Sequence, residues 1–173
     1  MSRKILIKNK FPQKDLKYNN FLLGLLFNQF LKNGKKSIAR KIVYKSFEYI
    51  YKKIKINPIF ILEKAIRNIS PRVYLKPTYT VNKTYQVPKL LNRFKATVIA
   101  IKWLVFFSKK RKKKSMINNF SLELIDAWKG IGNLIKKKEE MHKTVEANKA
   151  FIFLKKKIDK NLYKNKKIYY YYY

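Results

Sequence analysis

The chain is 173 residues long and carries 43 lysines and arginines against 9 aspartates and glutamates, a formal charge of +34. A compact form with that surplus repels itself unless anions surround it, so the partner is a polyanion, with nucleic acid ahead of anionic membrane. Cysteine is absent and histidine occurs once, at His142, which excludes disulfides, thiol chemistry and a histidine-based metal cluster.

The length suits one domain with a single core. Two long apolar runs, residues 21–27 and 96–107, are too short to span a bilayer, and the second contains Lys102. The opening Met1-Ser2-Arg3-Lys4-Ile5 shows neither a signal-peptide pattern nor an amphipathic presequence, so import is not expected. Of the 43 cations, 37 are lysine, and Ile, Asn, Tyr and Phe are plentiful while Ala and Gly are scarce. That is the residue usage of AT-rich codons, and it points to translation inside an organelle. The terminal run Tyr169 to Tyr173 fits the same codon bias.

A basic arm occupies residues 1–17. Asn20 then caps a predicted helix from Phe21 to Lys32, and Asn33-Gly34 supplies a left-handed exit. The second helix begins near Lys35, with Ala39, Val43, Phe47, Ile50 and Ile54 on one apolar stripe and Arg40, Lys41, Lys45, Lys52 and Lys53 largely elsewhere. Asn57-Pro58 starts the third, which continues through Ile59, Leu62, Ile66 and Ile69 until Pro71. Over about residues 72–89 the period changes to two: Val73, Leu75, Tyr85 and Val87 predict a β-hairpin arm, turning near Val81-Asn82.

Helix four is expected from about Leu90 to Ser108, with Phe94, Val98, Ile101 and Val105 on one stripe, followed by a loop made of the basic run 109–114. Ser115 caps helix five (Ile117, Phe120, Leu124, Ala127), and Gly130 and Gly132 break it. Asn133 caps helix six, where Met141, Val145, Asn148 and Ile152 share a side. The helical domain thus covers residues 18–154, and residues 155–173 form a lysine- and tyrosine-rich tail. No repeat of solenoid period is present.

Nothing in the pattern supports catalysis. His142 has no serine and acid positioned beside it, and Glu139-Glu140 point apart on a helix, where they neutralise Lys136, Lys137, Lys138 and Lys143. Gly24, Gly34, Gly130 and Gly132 form no phosphate-cradling fingerprint, and the scattered carboxylates offer no metal set. The chain reads as a non-enzyme with no cofactor and no metal. Its basic clusters instead recur at helix ends and in arms, where cations reach phosphates without disturbing a core. Among the aromatics, Phe21, Phe27, Phe47, Phe94 and Trp103 have core spacing, whereas Tyr79, Tyr85 and the tail tyrosines can stack on unpaired bases. The competing reading is a basic protein of the membrane surface, because amphipathic cationic helices also bind anionic lipid.

Five blocks occur in order: Asn33-Gly34-Lys35-Lys36-Ser37; Thr84-Tyr85-Gln86-Val87-Pro88; Lys114-Ser115-Met116; Lys137-Lys138-Glu139-Glu140-Met141-His142; and Glu146-Ala147-Asn148-Lys149-Ala150-Phe151. Together they resemble the universal small-subunit ribosomal protein seven family in its bacterial form, from Met1 to about Leu154. The resemblance implies a mainly α fold, a six-helix bundle with one protruding β-hairpin between helices three and four. It also implies a primary rRNA binder that organises the 3′ major (head) domain and lines the exit-site tRNA and mRNA exit region, beside platform protein eleven.

Carried onto this chain, the implied rRNA contacts are Arg3, Lys4, Lys8 and Lys10 in the arm and Lys35 and Lys36 between helices one and two. Arg72, Lys76, Arg93 and Lys95 follow around the hairpin base, then Lys114, and then Lys136, Lys137, His142 and Lys149 on helix six. The implied exit-site surface holds Tyr79, Asn82, Lys83, Tyr85 and Gln86. Neither a membrane partner nor self-association is expected. The hairpin tip departs from the family's arginine- and glycine-rich pattern, which shifts its contact toward stacking. The basic run after helix four and the tail are additions that point to lineage-specific contacts. Composition and this extension favour the mitochondrion over the plastid.

Overall fold

The computed structural model describes residues 12–79, 84–112 and 115–152. Over these the order is α1 (Phe21–Phe30), α2 (Lys36–Ile54), α3 (Pro58–Ile69), β1 (Val73–Tyr79), β2 (Thr84–Leu90), α4 (Arg93–Lys110), α5 (Met116–Lys129) and α6 (Asn133–Ala147). The expected six helices and inserted hairpin are therefore present. Asparagine starts two of the helices as the sequence foretells: Asn20 Oδ1 accepts from the Leu22 amide at 2.8 Å, and Asn57 Oδ1 accepts from the Ile59 amide at 3.0 Å with Pro58 at the first position.

Several boundaries differ from the sequence pattern, each for a local reason. Helix α1 stops at Phe30, because Leu31 already turns to ψ 126° before the left-handed Asn33 and Gly34. Helix α4 starts at Arg93 and not near Leu90, because Leu90 remains in the sheet opposite Val73. It runs on to Lys110, so the first two lysines of the basic run are helical and sit where the helix dipole favours cations. Gly132, at φ 102°, takes the cap position expected of Asn133, which becomes the first helical residue of α6. The buried stripe of α4 is also rotated. Ala96, Ala100, Ile101, Leu104, Val105 and Ser108 face inward, whereas Phe94 is exposed and Val98 half-buried. Small residues at 96 and 100 let α4 lie close to its neighbours, which the phenylalanine face would not allow.

Helix α5 is the centre of the bundle, packed against α2, α3 and α4. Its buried set is wider than one stripe: Asn119, Phe120, Ser121, Glu123, Leu124, Ile125 and Ala127. Phe120 meets Phe30 edge to face with ring centroids 5.0 Å apart. Where α2 crosses α5, two small hydroxyls replace bulk. Ser121 Oγ donates to the Ile117 and Ser46 carbonyls (2.7 and 3.2 Å), and Ser46 Oγ to the Ile42 and Ile117 carbonyls (2.8 and 3.1 Å). The hydroxyls satisfy themselves on helix carbonyls, so neither leaves an unpaired group in the core.

Glu123 is the costly member of that buried set, with only 5% of its side chain exposed. Arg111, the residue that ends α4, compensates it. Its Nε donates to Glu123 Oε2 at 2.6 Å, its terminal nitrogen bonds Asp126, and its carbonyl accepts from Asn119 Nδ2 at 3.0 Å. Burial pushes the Glu123 carboxyl above its ordinary range while Arg111 pulls it down. The one arginine in the basic run is therefore a clasp between α4 and α5.

The segment before α1 is held just as specifically. Asp15 is buried and accepts from the Tyr18 amide (3.1 Å) and the Tyr44 hydroxyl (2.6 Å). Burial and then the Asp15 hydrogen bond push the Tyr44 phenol up to about 12. A Cβ at Gly24 would overlap the Gln13 carbonyl oxygen, so this glycine is what lets residues 12–16 lie across α1.

Two stability outcomes follow. Arg111→Ala should lower the unfolding free energy by about 2–4 kcal/mol in denaturant titration, and adding Glu123→Gln should restore part of the loss, because the stranded carboxylate is then gone. Gly24→Ala should destabilise by about 1–3 kcal/mol through overpacking, net of a helix-propensity gain of roughly 1 kcal/mol.

Candidate nucleic-acid interface

The end of α3, the base of the hairpin and the start of α4 enclose a cleft of about 720 Å³. Arg67 enters it from the last turn of α3, Arg72 from the residue before β1, and Arg93 from the first residue of α4. All three are exposed, and none takes part in an ion pair among the described residues. The Leu91 amide donates to the Arg72 carbonyl at 3.0 Å, which holds the two ends of the hairpin together beneath them. Sequence reasoning singled out Arg72 and Arg93 and passed over Arg67. The basic face of α3 was visible in its spacing, but the closure of the chain that brings residue 67 to residue 93 was not.

Beside this cleft, α6 contributes a more buried cationic group. Lys138 Nζ donates to the Asn68 carbonyl at 2.7 Å, and Asn68 Nδ2 in turn donates to the Ala127 and Trp128 carbonyls (3.0 and 3.2 Å). Burial, then the like charge of Arg72, pushes the Lys138 ammonium down from its ordinary value. Lys138 is thus committed to the chain, unlike its exposed neighbours Lys136 and Lys137, the latter 3.5 Å from Glu140. His142, one turn on, is pushed below its ordinary value by burial, then by Lys138 and Arg72. Lys149, past the end of α6, is half-buried.

A second, smaller pocket of about 210 Å³ lies where residues 12–16 cross α1 and the start of α2, with Lys14, Lys36 and Arg40 in its wall. Lys35 and Lys36 are both exposed at the start of α2. Lys76 and Lys95 are exposed too, on β1 and on the first turn of α4. Of the other residues singled out from the sequence, Arg3, Lys4, Lys8, Lys10, Asn82, Lys83 and Lys114 lie outside the described residues, as do the hairpin turn and the tail.

The hairpin pairs Val73 with Leu90, Leu75 with Pro88, Lys76 with Val87, Thr78 with Tyr85 and Tyr79 with Thr84. Val73 and Leu75 therefore share one face, and Tyr85 and Val87 share the other, with Lys76 directly opposite Val87. Tyr79 is 80% exposed, open to a stacking partner. Tyr85 is half-buried and packs on Phe151, ring centroids 5.3 Å apart, so its ring serves to dock the hairpin on the segment after α6. Gln86 is exposed.

Six helices with a hairpin inserted between the third and fourth, and clefts lined by cations from separate elements, define a basic helical binding domain. Residues 1–149 match the family described as Ribosomal protein S7p/S5e. The chain is also 42% identical over 143 residues to the small ribosomal subunit protein uS7c of Trieres chinensis, a match covering 83% of this chain and 90% of that one. The chain belongs to the ribosomal protein S7p/S5e family and is a structural, non-enzymatic constituent of the small ribosomal subunit.

The relative's name is that of the chloroplast form, which overturns the mitochondrial location expected from composition. AT-rich coding acts on the gene and leaves no physical mark that separates one organelle from another. Among the described residues no helix is long and apolar enough to cross a membrane.

The lowered His142 value carries a stability consequence. Below the ordinary value of 6.5 the unfolded chain binds a proton that the folded chain resists, so stability from this group is fully present above pH 6.5 and is lost as pH falls toward the lowered folded value. Melting temperatures of the RNA-free protein at pH 7.5 and 5.5 should therefore differ more for the native chain than for His142→Gln.

Proposed function

We propose that this chain is a primary binder of small-subunit rRNA in a plastid ribosome, organising the 3′ major domain, with its hairpin reaching toward the exit-site tRNA and mRNA. One observation carries this reading: exposed cations far outnumber exposed acids, and the more buried acids hold partners within the chain. Asp15, Glu63, Glu123 and Asp126 are held by partners within the chain, while Glu48, Glu139, Glu140 and Glu146 are exposed, Glu140 beside Lys137. Lys35, Lys36, Arg72, Lys76, Arg93, Lys95, Lys136 and Lys137 stand exposed at helix ends and along the hairpin base. Such a surface gains free energy chiefly by releasing counterions from a folded polyphosphate.

In this reading the scaffold selects the shape of an rRNA junction while the cations neutralise its phosphates. Arg3, Lys4, Lys8 and Lys10 of the arm, with Lys114 and Lys149, add to that contact. Exposed Tyr79 supplies a ring for an unpaired base, and Asn82, Lys83, Tyr85 and Gln86 complete the exit-region surface, Tyr85 by holding the hairpin in place. The relative from Trieres chinensis supports the plastid assignment through its name.

The test is salt-dependent affinity for a transcript of the 3′ major domain. Replacing Lys35 and Lys36 together with glutamate should weaken binding and reduce the slope of log K against log salt by about 1.4–1.8, two phosphates' worth. A slope near zero for the native chain would reject phosphate neutralisation as the mechanism.

A further inference from the structure

The cleft at the hairpin base has two chemistries in one space. Arg67, Arg72 and Arg93 stand around it, and most of its remaining wall is apolar (Ile66, Pro71, Leu90, Leu91 and Ala96), the hydroxyls of Ser70 and Thr97 being engaged by the Ile66 and Arg93 carbonyls. Three of the chain's six arginines gather here although lysines outnumber arginines roughly six to one, as 37 to 6. A surface that only had to neutralise charge would be served by lysine, as the rest of this chain is. Planar forks do something lysine does not: they grip a phosphate through two parallel hydrogen bonds, and they stack on a base. An apolar wall beside them is of no use to a phosphate but suits a sugar or an unstacked base.

Size agrees with this division. About 720 Å³ falls within the range of roughly 300–1,000 Å³ typical of small-molecule pockets, which is far more room than a single phosphate needs. No aspartate or glutamate is among the residues that line the cleft, so the forks are not spent on an internal partner. The first turn of α4 carries no acidic residue and Asn92 makes no side-chain cap, so the positive end of the helix dipole faces the same edge uncompensated by a carboxylate.

We propose that this cleft receives one unpaired nucleotide of the rRNA, its flanking phosphates held by the forks of Arg67, Arg72 and Arg93 and its sugar or base laid against Leu90, Leu91 and Pro71. The inference rests on the rRNA-binding reading and adds the kind of RNA feature this cleft takes: an extruded or bulged residue, not a continuous duplex. Such recognition is available to RNA because bases in bulges and loops are free to leave the stack.

The experiment uses the full chain and two RNA stems of equal length, one fully paired and one carrying a single-nucleotide bulge, titrated by fluorescence anisotropy at one salt concentration. The native chain should prefer the bulged stem by about fivefold or more, the lower end of what one stacked base supplies. Replacing Arg67, Arg72 and Arg93 together with lysine keeps the charge and removes the forks. This variant should hold the paired stem within about twofold of the native affinity while its preference for the bulge disappears. All substituted positions are exposed, and an unchanged melting temperature confirms that the fold survives.

Equal native affinity for the two stems, or a lysine variant that keeps the preference, overturns the proposal. A 3′ major domain transcript is titrated alongside. If the native chain binds that transcript but ignores the bulge, the nucleotide site fails and the rRNA-binding reading stands. If it binds neither, both fail.

Discussion

Helix α5 can sit at the centre of the bundle only because its one buried carboxylate is matched. Three neighbours cover it, and packing on three sides demands that almost every position be apolar, small or satisfied. Phe120, Leu124 and Ala127 supply the first, Ser121 the second, and Glu123 would break the rule without the guanidinium of Arg111. An unpaired carboxylate there would be expensive enough to consume much of a domain's net stability, which is about 5–15 kcal/mol. Removing Arg111 would also cut the tie that sets where α4 ends and α5 begins.

From this follows the way the chain distributes charge. A protein with a surplus of +34 has few carboxylates, and half of the eight described acids serve as internal fasteners. Asp15 pins the segment before α1 to Tyr44, Glu63 reaches Asn20, and Glu123 and Asp126 hold Arg111. Using these acids inward leaves most outward cations without local counterions, so their field points at whatever binds. The surface is therefore poised for a polyphosphate as a consequence of how the core is fastened, and not through any one motif.

The same economy positions the two clefts. Gly24 lets residues 12–16 cross α1, which builds the pocket around Lys14, Lys36 and Arg40. The bond from Leu91 to Arg72 closes the hairpin base, and Lys138 ties α6 to the end of α3, so that Arg67, Arg72 and Arg93 converge. Tyr85 against Phe151 then fixes the hairpin to the segment after α6. Rigid anchoring of cations matters for RNA recognition, because freely moving side chains would neutralise phosphates without selecting a shape.

What the sequence determined by itself was everything local or summed. Helical period, Asn and Pro caps, the switch to period two at Val73 and the charge total each depend on neighbours along the chain, and from these the six helices, the hairpin and a polyanion partner are legible. Ordered blocks such as Asn33-Gly34-Lys35-Lys36-Ser37 carried the family. What only the tertiary structure decided were choices between equivalent local options. The apolar residues of α4 offer more than one face, and packing within the bundle buried Ala96, Ala100 and Leu104 and left Phe94 exposed and Val98 half-buried. Within the basic run Arg111 looks like any cation until Glu123 arrives from a different helix, and Arg67 joins Arg93 only once the bundle closes. Which organelle houses the chain was legible in neither composition nor fold, since codon usage leaves the physics of both unchanged. Pairings across long stretches of chain are paid for by burial that no local window can sum, and that is why the clasp and the cleft had to wait for the fold.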